Sequence, residues 1–139
     1  MKKIEVVCGA LIIDNQVLIA QRNYGSAKGM FEFPGGKVEK NETKEEALKR
    51  EWMEECQIEI KNLRFLKEGY DIQDETEIHL TCFTCTADSK PNCLLVHSQY
   101  IWTTPECIYD YSFFESDRGL VEALKEKWPC LIKQRKSKY

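Results

Sequence analysis

The sequence lacks any long run of apolar residues. No stretch approaches the roughly 18 apolar residues that suggest a membrane-spanning helix, and the apolar N-terminal segment is interrupted by Asp14, Asn15 and Gln16. We therefore expect neither a signal peptide nor a membrane helix. The chain is expected to work in the cytoplasm, without a membrane partner.

An excess of positive charge is also lacking. Lys and Arg number 20 against 23 Asp and Glu, which gives a formal net charge of −3. This balance offers no sequence-independent grip on a nucleic acid or an anionic membrane. We expect no stable nucleic-acid complex, and any phosphate that the protein handles should be held at a local site.

A disulfide framework is missing as well. The seven cysteines are an odd number scattered through apolar segments, which favours reduced thiols that act as small buried hydrophobes in a reducing compartment. Cys82 and Cys85 have the spacing of a metal or redox motif. They fall in a strand-like segment, where residues three apart point to opposite faces, so their sulfurs should diverge.

What remains is the composition of one compact domain. The 139 residues are 42% hydrophobic and 31% charged, with no internal repeat and no low-complexity linker. This is enough for one core and too little for two. We expect a single domain over residues 1–130, a basic and frayed tail over 131–139, and either a monomer or a homodimer.

The pattern of apolar residues predicts strands and two helices. Strands are expected at 4–13, 17–22, 31–33, 60–70, 77–87 and 94–103. The first two should be antiparallel and joined by a tight turn. Helices are expected at 44–57, after a capping box of Thr43 and Glu46, and at 117–127, with Pro129 as the stop. This order predicts an α/β fold in which helices flank a mixed sheet on both sides.

The first helix carries three carboxylates close together. Glu51, Glu54 and Glu55 fall within an arc of roughly 100°, beside the apolar stripe that contains Trp52. Like charges at this spacing repel, and a divalent cation would reverse the sign. Mg²⁺ suits such oxygen ligands, and Mn²⁺ is possible. The alternative is a solvated acidic face softened by nearby Lys and Arg.

A glycine pair precedes this helix. In Pro34-Gly35-Gly36 the backbone can approach an ion or a phosphate without an intervening Cβ, and Lys37 adds a mobile positive charge. The alternative is an ordinary turn that leaves the strand.

Together these residues resemble a known motif. Gly36, Glu42, Arg50-Glu51 and Glu54-Glu55 match the Nudix box, G-x5-E-x7-R-E-U-x-E-E-x-G-U, where U is a bulky apolar residue. Gln57 replaces the second glycine, which puts the end of the helix in question. The segments "FEFPGGKVE" and "WTTPEC" extend the resemblance to MutT-like enzymes over residues 4–128. It implies a Nudix fold, an α/β/α sandwich.

The resemblance also implies an activity. Nudix enzymes hydrolyse a nucleoside diphosphate linked to another group, using Mg²⁺ or Mn²⁺, and MutT-like members release a nucleoside monophosphate and pyrophosphate. Glu54, Glu55 and the carbonyl of Gly35 would hold the metal. Glu51 would be a further ligand or the base that activates water, oriented by Arg50.

Other roles follow from the same resemblance. Lys37 and Arg22 would face the phosphates, although Arg22 could equally be a surface residue at a strand end. Glu42, and with less support Glu39, would stand behind the metal ligands. MutT-like relatives often carry a late metal-binding glutamate where this chain has Val96, and Gln99 also replaces a common glutamate. The site could borrow a carboxylate from Asp71, Asp74 or Glu75.

The base would be read near the second helix. Asp117 occupies the position that contacts the base in MutT-like proteins, but Asp117 or Ser116 would also suit the helix N-cap. Phe114, Phe113 or Tyr111 could stack on the base or belong to the core.

An ionised Asp only accepts hydrogen bonds, which favours the amino group of cytosine or the N–H edge of guanine. Asp at this position resembles the CTP pyrophosphohydrolase branch, which implies nucleotide-pool sanitation. Oxidised guanine nucleotides, other nucleotide derivatives and a catalytically weak nucleotide-sensing module remain alternatives.

Overall fold

The computed structural model describes residues 2–114 and 117–136. Within these residues, seven strands, two α-helices and one 3-10 helix follow in the order β1 (Lys2–Ile13), β2 (Gln16–Arg22), β3 (Phe31–Glu32), β4 (Gly35–Lys37), α1 (Lys44–Cys56), β5 (Lys61–Gln73), β6 (Thr76–Thr86), β7 (His97–Thr103), the 3-10 helix (Pro105–Asp110) and α2 (Arg118–Lys136). No helix in this part of the chain combines the length and apolarity that crossing a membrane requires.

The sheet is mixed and is built around β1. This strand pairs in parallel with β6, and antiparallel with β2 at one end and β4 nearer the other. β5 continues the sheet beyond β6, and β2 also pairs with β3 and β7. The central strand is therefore covered on both edges, which agrees with its high apolar content.

Alternate residues of β1 face two separate parts of the core. Cys8, Ala10 and Ile12 pack with α2, while Val7 and Leu11 pack with α1. This is the two-residue period of a strand that is buried on both faces. The sandwich of helices around a mixed sheet, predicted from the sequence, is confirmed.

The two hairpins of the sheet have turns of the same kind. Asp14 and Asn15 join β1 to β2, and Asp74 and Glu75 join β5 to β6, all four with positive φ. Two successive residues of positive φ make the turn whose twist suits a tight hairpin, and Asp and Asn tolerate it best. The first turn was predicted. β5 extends three residues beyond its predicted end, and β7 begins three residues after its predicted start.

Helix α1 has the predicted beginning and end. The Thr43 hydroxyl accepts from the Glu46 amide (3.1 Å), and the Glu46 carboxylate accepts from the Thr43 amide (2.9 Å). Gln57 ends the helix with φ 53° and ψ 41° and donates its amide to the Met53 carbonyl. The chain thus adopts at Gln57 the left-handed conformation for which glycine is usual.

The predicted end of α2 is wrong. The helix passes through Pro129 and continues to Lys136, into the segment expected to be a frayed tail. Proline lacks a helical N–H and costs about 3 kcal/mol in a helix interior. Leu131 and Ile132 beyond it pack on the core next to the buried Trp128, and this tertiary packing outweighs the local penalty.

The cysteines divide into two groups. Cys8, Cys56, Cys82 and Cys85 are buried, and Cys82 and Cys85 lie in different core clusters, as their spacing predicts. Cys107 and Cys130 are exposed, and Cys93 is partly buried. The expectation that the cysteines serve as buried hydrophobes is therefore wrong for the last three, because they lie outside the sheet.

Candidate active site

Arg50 lies at the centre of the acidic cluster on α1. Its Nε and Nη2 donate to Glu42 (2.7 and 3.0 Å), and its Nη1 donates to Glu51 (2.8 Å) and Glu54 (2.9 Å). Nη2 also donates to the main-chain carbonyl of Lys37 (3.0 Å). The hydrogen bond to Glu42, followed by those to Glu51 and Glu54, raises the pKa of Arg50 further above its usual range. The guanidinium therefore links the helix to the segment Pro34-Gly35-Gly36-Lys37, which we call the glycine loop.

Glu42 and Glu39 support Arg50. The hydrogen bond from Arg50 holds the pKa of Glu42 below its usual range, and the Glu39 amide also donates to the Glu42 carboxylate (2.9 Å). The carboxylate of Glu39 lies 3.4 Å from Arg50 Nη1 and is 65% exposed. Glu42 thus orients the arginine, whereas Glu39 makes a looser contact.

The ionised form of Glu55 is strongly disfavoured by its surroundings. Its buried Oε1 has no hydrogen-bond partner. Burial, then a hydrogen bond with Glu51, raises the pKa of Glu55 well above its usual range. Glu51 and Glu55 repel each other when both are ionised, and a shared proton relieves this repulsion. A bound cation would relieve it in the same way.

The glycine loop is attached to both the helix and the sheet. The carbonyl of Pro34 accepts from the buried indole of Trp52 (3.1 Å) and from the amide of Gly9 (2.9 Å). A Cβ at Gly35 would lie 1.9 Å from the Val7 carbonyl oxygen, and one at Gly36 would lie 2.4 Å from the carboxylate carbon of Glu51. Gly35 is thus required by the backbone of β1, whereas a side chain at Gly36 would displace the Glu51 carboxylate.

The donor set fits a hard divalent cation. Carboxylates and a main-chain carbonyl are the ligands that Mg²⁺ and Mn²⁺ prefer, and the unpartnered Oε1 of Glu55 is free to serve as one. In the described part of the chain, no three acidic, His or Cys side chains are already gathered as a metal-binding group. Arg50 holds one oxygen of Glu54, as it holds one oxygen of Glu51, and the second oxygen of each carboxylate could serve as a ligand.

A pocket of about 550 Å³ opens beside the glycine loop. Gly36 borders both the pocket and the Glu51 carboxylate. The other polar residues that matter for the chemistry line the same cavity: Arg22, Glu32, Lys37, Asp71 and Asp117. Its volume is in the range of small-molecule sites. The predicted phosphate and base residues thus share one cavity, and the acidic helix adjoins it where Glu51 approaches Gly36.

The position of Arg22 is more specific than that of a surface arginine. Its guanidinium carbon lies 4.4 Å from the centre of the Tyr24 ring and 4.8 Å from that of the Phe114 ring. Its Nε lies 3.6 Å from a carboxylate oxygen of Glu32. The cation is fixed between two aromatic faces at the wall of the pocket.

Glu32 is a pocket residue that the sequence reasoning missed. Its Oε2 accepts from the hydroxyl of Tyr24 (2.8 Å) and lies 2.9 Å from Nε2 of His97. The side chain is 14% exposed. A signal was available, since Glu32 is a charged residue between Phe31 and Phe33, which are both buried.

Asp117 and Phe114, the two residues predicted to contact the base, also line the pocket. Burial, followed by repulsion from Glu32, raises the pKa of Asp117 to about 6. Ser116, the other candidate for the helix N-cap, lies outside the described residues. Two carboxylates, Glu32 and Asp117, therefore share one end of the cavity.

The remaining aromatic candidates belong to the core. The ring of Phe113 packs on Phe33 (5.2 Å between centroids), and that of Tyr111 packs on Phe31 (5.1 Å). Both add to the cluster beneath α2. Of the three aromatic residues considered for stacking, Phe114 is the one that lines the pocket.

Val96 and Gln99, which stand where MutT-like relatives often carry glutamates, supply no carboxylate. Gln99 donates to the side-chain oxygen of Gln21 (2.8 Å), and Val96 stands just before the strand begins. Of the neighbours that could supply a carboxylate, Asp71 lines the pocket. Asp74 and Glu75 form the exposed hairpin turn.

Comparison with known proteins agrees with this arrangement. The model of the NUDIX domain family matches residues 3–124. The CTP pyrophosphohydrolase of Escherichia coli (strain K12) is 33% identical over 124 residues, which cover 88% of this chain and 92% of that protein. The 8-oxo-dGTP diphosphatase of Proteus vulgaris is 38% identical over 105 residues, which cover 69% of this chain and 93% of the other.

A solved structure supports the same relationship. The solution structure of the E. coli ORF135 protein superimposes with a TM-score of 0.78 at 32% identity and covers 91% of each chain. By family model, by sequence and by fold, this chain belongs to the Nudix family of hydrolases.

Proposed function

We propose that this protein is an Mg²⁺-dependent nucleoside triphosphate pyrophosphohydrolase that converts a nucleoside triphosphate and water into the monophosphate and pyrophosphate. Its preferred substrates would be CTP, dCTP or modified cytosine nucleotides, and its role the sanitation of the cytoplasmic nucleotide pool. The observation that carries the proposal is the single cavity that joins the glycine loop of the acidic cluster to the paired carboxylates Glu32 and Asp117.

The acidic helix supplies the chemistry of the phosphate end. Glu54, Glu55, the Gly35 carbonyl and, in one of its two roles, Glu51 would hold the cation. When bound, Mg²⁺ neutralises phosphate charge and makes an attacking water more acidic. Mn²⁺ could take its place.

Arg50 orients the carboxylate of Glu51. It donates to one carboxylate oxygen of Glu51 at 2.8 Å, which fixes the direction of the other oxygen. Where Glu51 acts as the general base, that oxygen takes the proton from the attacking water. Lys37 and Arg22 stabilise the negative charge of the phosphates.

The far end of the pocket selects the base. Ionised carboxylates only accept hydrogen bonds. The exocyclic amino group of cytosine presents donors to them, whereas uracil presents a carbonyl oxygen at the same position. Phe114 provides an aromatic surface next to Asp117. These features favour cytosine over uracil.

A second candidate is an 8-oxo-dGTP diphosphatase. The relative from Proteus vulgaris bears that name, and guanine also presents N–H donors that two carboxylates could accept. We place it second because the CTP pyrophosphohydrolase of E. coli matches a larger share of this chain.

A pyrophosphate-release screen tests the proposal. The common ribo- and deoxyribonucleoside triphosphates, 8-oxo-dGTP and 5-hydroxy-dCTP would be compared with Mg²⁺ and with excess chelator. We expect the cytosine nucleotides to give the highest kcat/KM and the chelator to abolish turnover. Fastest turnover of 8-oxo-dGTP would favour the second candidate. Tight binding without turnover on any substrate would indicate a nucleotide-sensing module.

A further inference from the structure

His97 makes a contact that the proposed chemistry does not use. The residue is 3% exposed at the beginning of β7, and its Nε2 lies 2.9 Å from Oε2 of Glu32. Its buried Nδ1 has no hydrogen-bond partner. In contrast, His79 uses both ring nitrogens, one towards Glu5 and the other towards Glu68.

The unpartnered nitrogen fixes where the hydrogen of His97 lies. An ionised carboxylate can only accept, so Nε2 must donate to Glu32. A second hydrogen on Nδ1 would be a buried donor without an acceptor, which is costly. Of the two neutral tautomers, the arrangement therefore favours the one that carries its hydrogen on Nε2.

Tyr24 completes the arrangement. Its hydroxyl donates to the same oxygen, Oε2 of Glu32, at 2.8 Å. Two donors thus hold one oxygen of the carboxylate. The other oxygen, Oε1, stands 3.6 Å from Nε of Arg22 and remains available as an acceptor at the wall of the pocket.

We propose that His97, together with Tyr24, is a positioning residue that sets the base preference by holding Glu32 as a fixed hydrogen-bond acceptor. Glu32 would contact the base, and His97 would act through it without touching the substrate. The inference rests on the proposed function in one respect: the pocket end with Glu32 and Asp117 must be the base site.

The three residues come from separate parts of the chain. Tyr24 lies in the loop after β2, Glu32 in β3 and His97 in β7. If the His97 ring served packing alone, its replacement would change the affinities for all nucleotides to the same extent. A donor that fixes one acceptor affects most the base whose N–H lies opposite that acceptor, and affects less the bases that present their hydrogens elsewhere.

Equilibrium binding of CMP, UMP, GMP and AMP to the metal-free protein provides the test. The variants are His97→Leu, His97→Gln and Tyr24→Phe, with His79→Leu as the matched control at the other histidine. Each would be measured by calorimetry after its circular dichroism spectrum had been checked. Nitrogen-15 NMR of the histidine rings would report the tautomer of His97 directly.

We expect the affinity for the preferred monophosphate to fall ~10-fold or more in His97→Leu, and the other three affinities to stay within about threefold. In His97→Gln the amide can donate in place of Nε2 and should restore most of the preference. Tyr24→Phe should cause a smaller loss, and His79→Leu none. Should His97→Leu fail to fold, the glutamine and Tyr24 variants decide.

Three results would overturn the inference: an unchanged ratio of affinities in His97→Leu and Tyr24→Phe, a wild-type protein that binds all four monophosphates equally, or a His97 hydrogen on Nδ1. Failure of the proposed function looks different. In that case no pyrophosphate is released from CTP, while a base preference in binding persists and depends on His97.

Discussion

The acidic cluster of α1 and the carboxylate pair of Glu32 and Asp117 hold negative charge in opposite ways. The cluster comes from one helix and its preceding loop, and Arg50 neutralises part of it through contacts with Glu42, Glu51 and Glu54. The pair comes from β3 and from the residue before α2, and Glu32 is held by the Tyr24 hydroxyl and His97, with the cation of Arg22 at a longer distance of 3.6 Å.

This difference indicates two functions for carboxylates: the cluster lies beside the glycine loop that borders the pocket, and the pair lines the pocket itself. In the cluster, Glu55 retains a buried oxygen without a partner, which a cation can satisfy. In the pair, Glu32 is held by hydrogen bonds and Asp117 is largely buried. The carboxylate oxygens that face the pocket can accept hydrogen bonds from the neutral N–H groups of a base. Substitutions in the cluster should therefore lower kcat, whereas substitutions in the pair should change the base preference.

The largest effect should come from Glu54→Gln. Loss of one carboxylate ligand weakens the stabilisation of developing phosphate charge, so we expect kcat to fall by ~100-fold or more. Steady-state pyrophosphate release from CTP measures it. Glu45→Gln, an exposed position on the same helix, makes the same charge change and should retain activity. Equal losses in the two variants would remove the special role of the cluster.

The next effect should come from Gly36→Ala. The added Cβ would stand 2.4 Å from the Glu51 carboxylate carbon, so Glu51 must move. A displacement of this size costs ~10- to 100-fold in kcat. Gly69→Ala is the control, because the pocket also borders Gly69 but nothing lies within 4 Å of a Cβ there. Full activity of the Gly36 variant would mean that the position of Glu51 is unimportant.

A third prediction concerns Asp117→Asn and pH. The folded pKa of Asp117 is raised to about 6 from 3.8, so the folded state binds more protons than the unfolded state between these values. The contribution of Asp117 to the stability of the wild type therefore falls as pH rises through this window and is then constant. The full effect is about 3 kcal/mol, which partial exposure to water reduces to ~1–2 kcal/mol.

The asparagine variant should lack this loss. We expect it to be the more stable protein at pH 7 and to differ little from the wild type at pH 3.5, in urea titrations without metal. Its base preference should also change, whereas kcat on the best remaining substrate should change less. A stability difference that is the same at both pH values would contradict the placement of Asp117.

The smallest effect should come from Gln57→Gly. A non-glycine residue in the left-handed conformation costs about 1–2 kcal/mol, and the greater freedom of glycine in the unfolded chain offsets about half of that. The variant should gain ~0.5–1 kcal/mol in stability and keep its activity. A loss of activity would mean that Gln57 contributes more than the end of α1.

The acidic cluster could be predicted from the sequence because its spacing is local. The distance from Gly36 to Glu55 along the chain fixes where each residue stands on one loop and one helix. The replacement of glycine by Gln57 put the end of the helix in question. In the structure the helix ends there, in the left-handed conformation that glycine would adopt.

The base end of the pocket could be predicted only in part. Asp117 was inferred from a resemblance and Phe114 was one of three aromatic candidates, but Glu32 is held by Tyr24 and by His97, 65 residues further along the chain. The end of α2 was missed for the same reason. The signal at Pro129 is local, whereas the packing of Leu131 and Ile132 on the core is not.

The products of CTP hydrolysis test the central claim most directly. Phosphorus-31 NMR would follow CTP with the wild-type protein and Mg²⁺, and then with Glu54→Gln. The account predicts that wild type yields CMP and pyrophosphate in equal amounts and that the variant leaves CTP intact over the same time. Formation of CDP and inorganic phosphate, or equal pyrophosphate release by the variant, would contradict it.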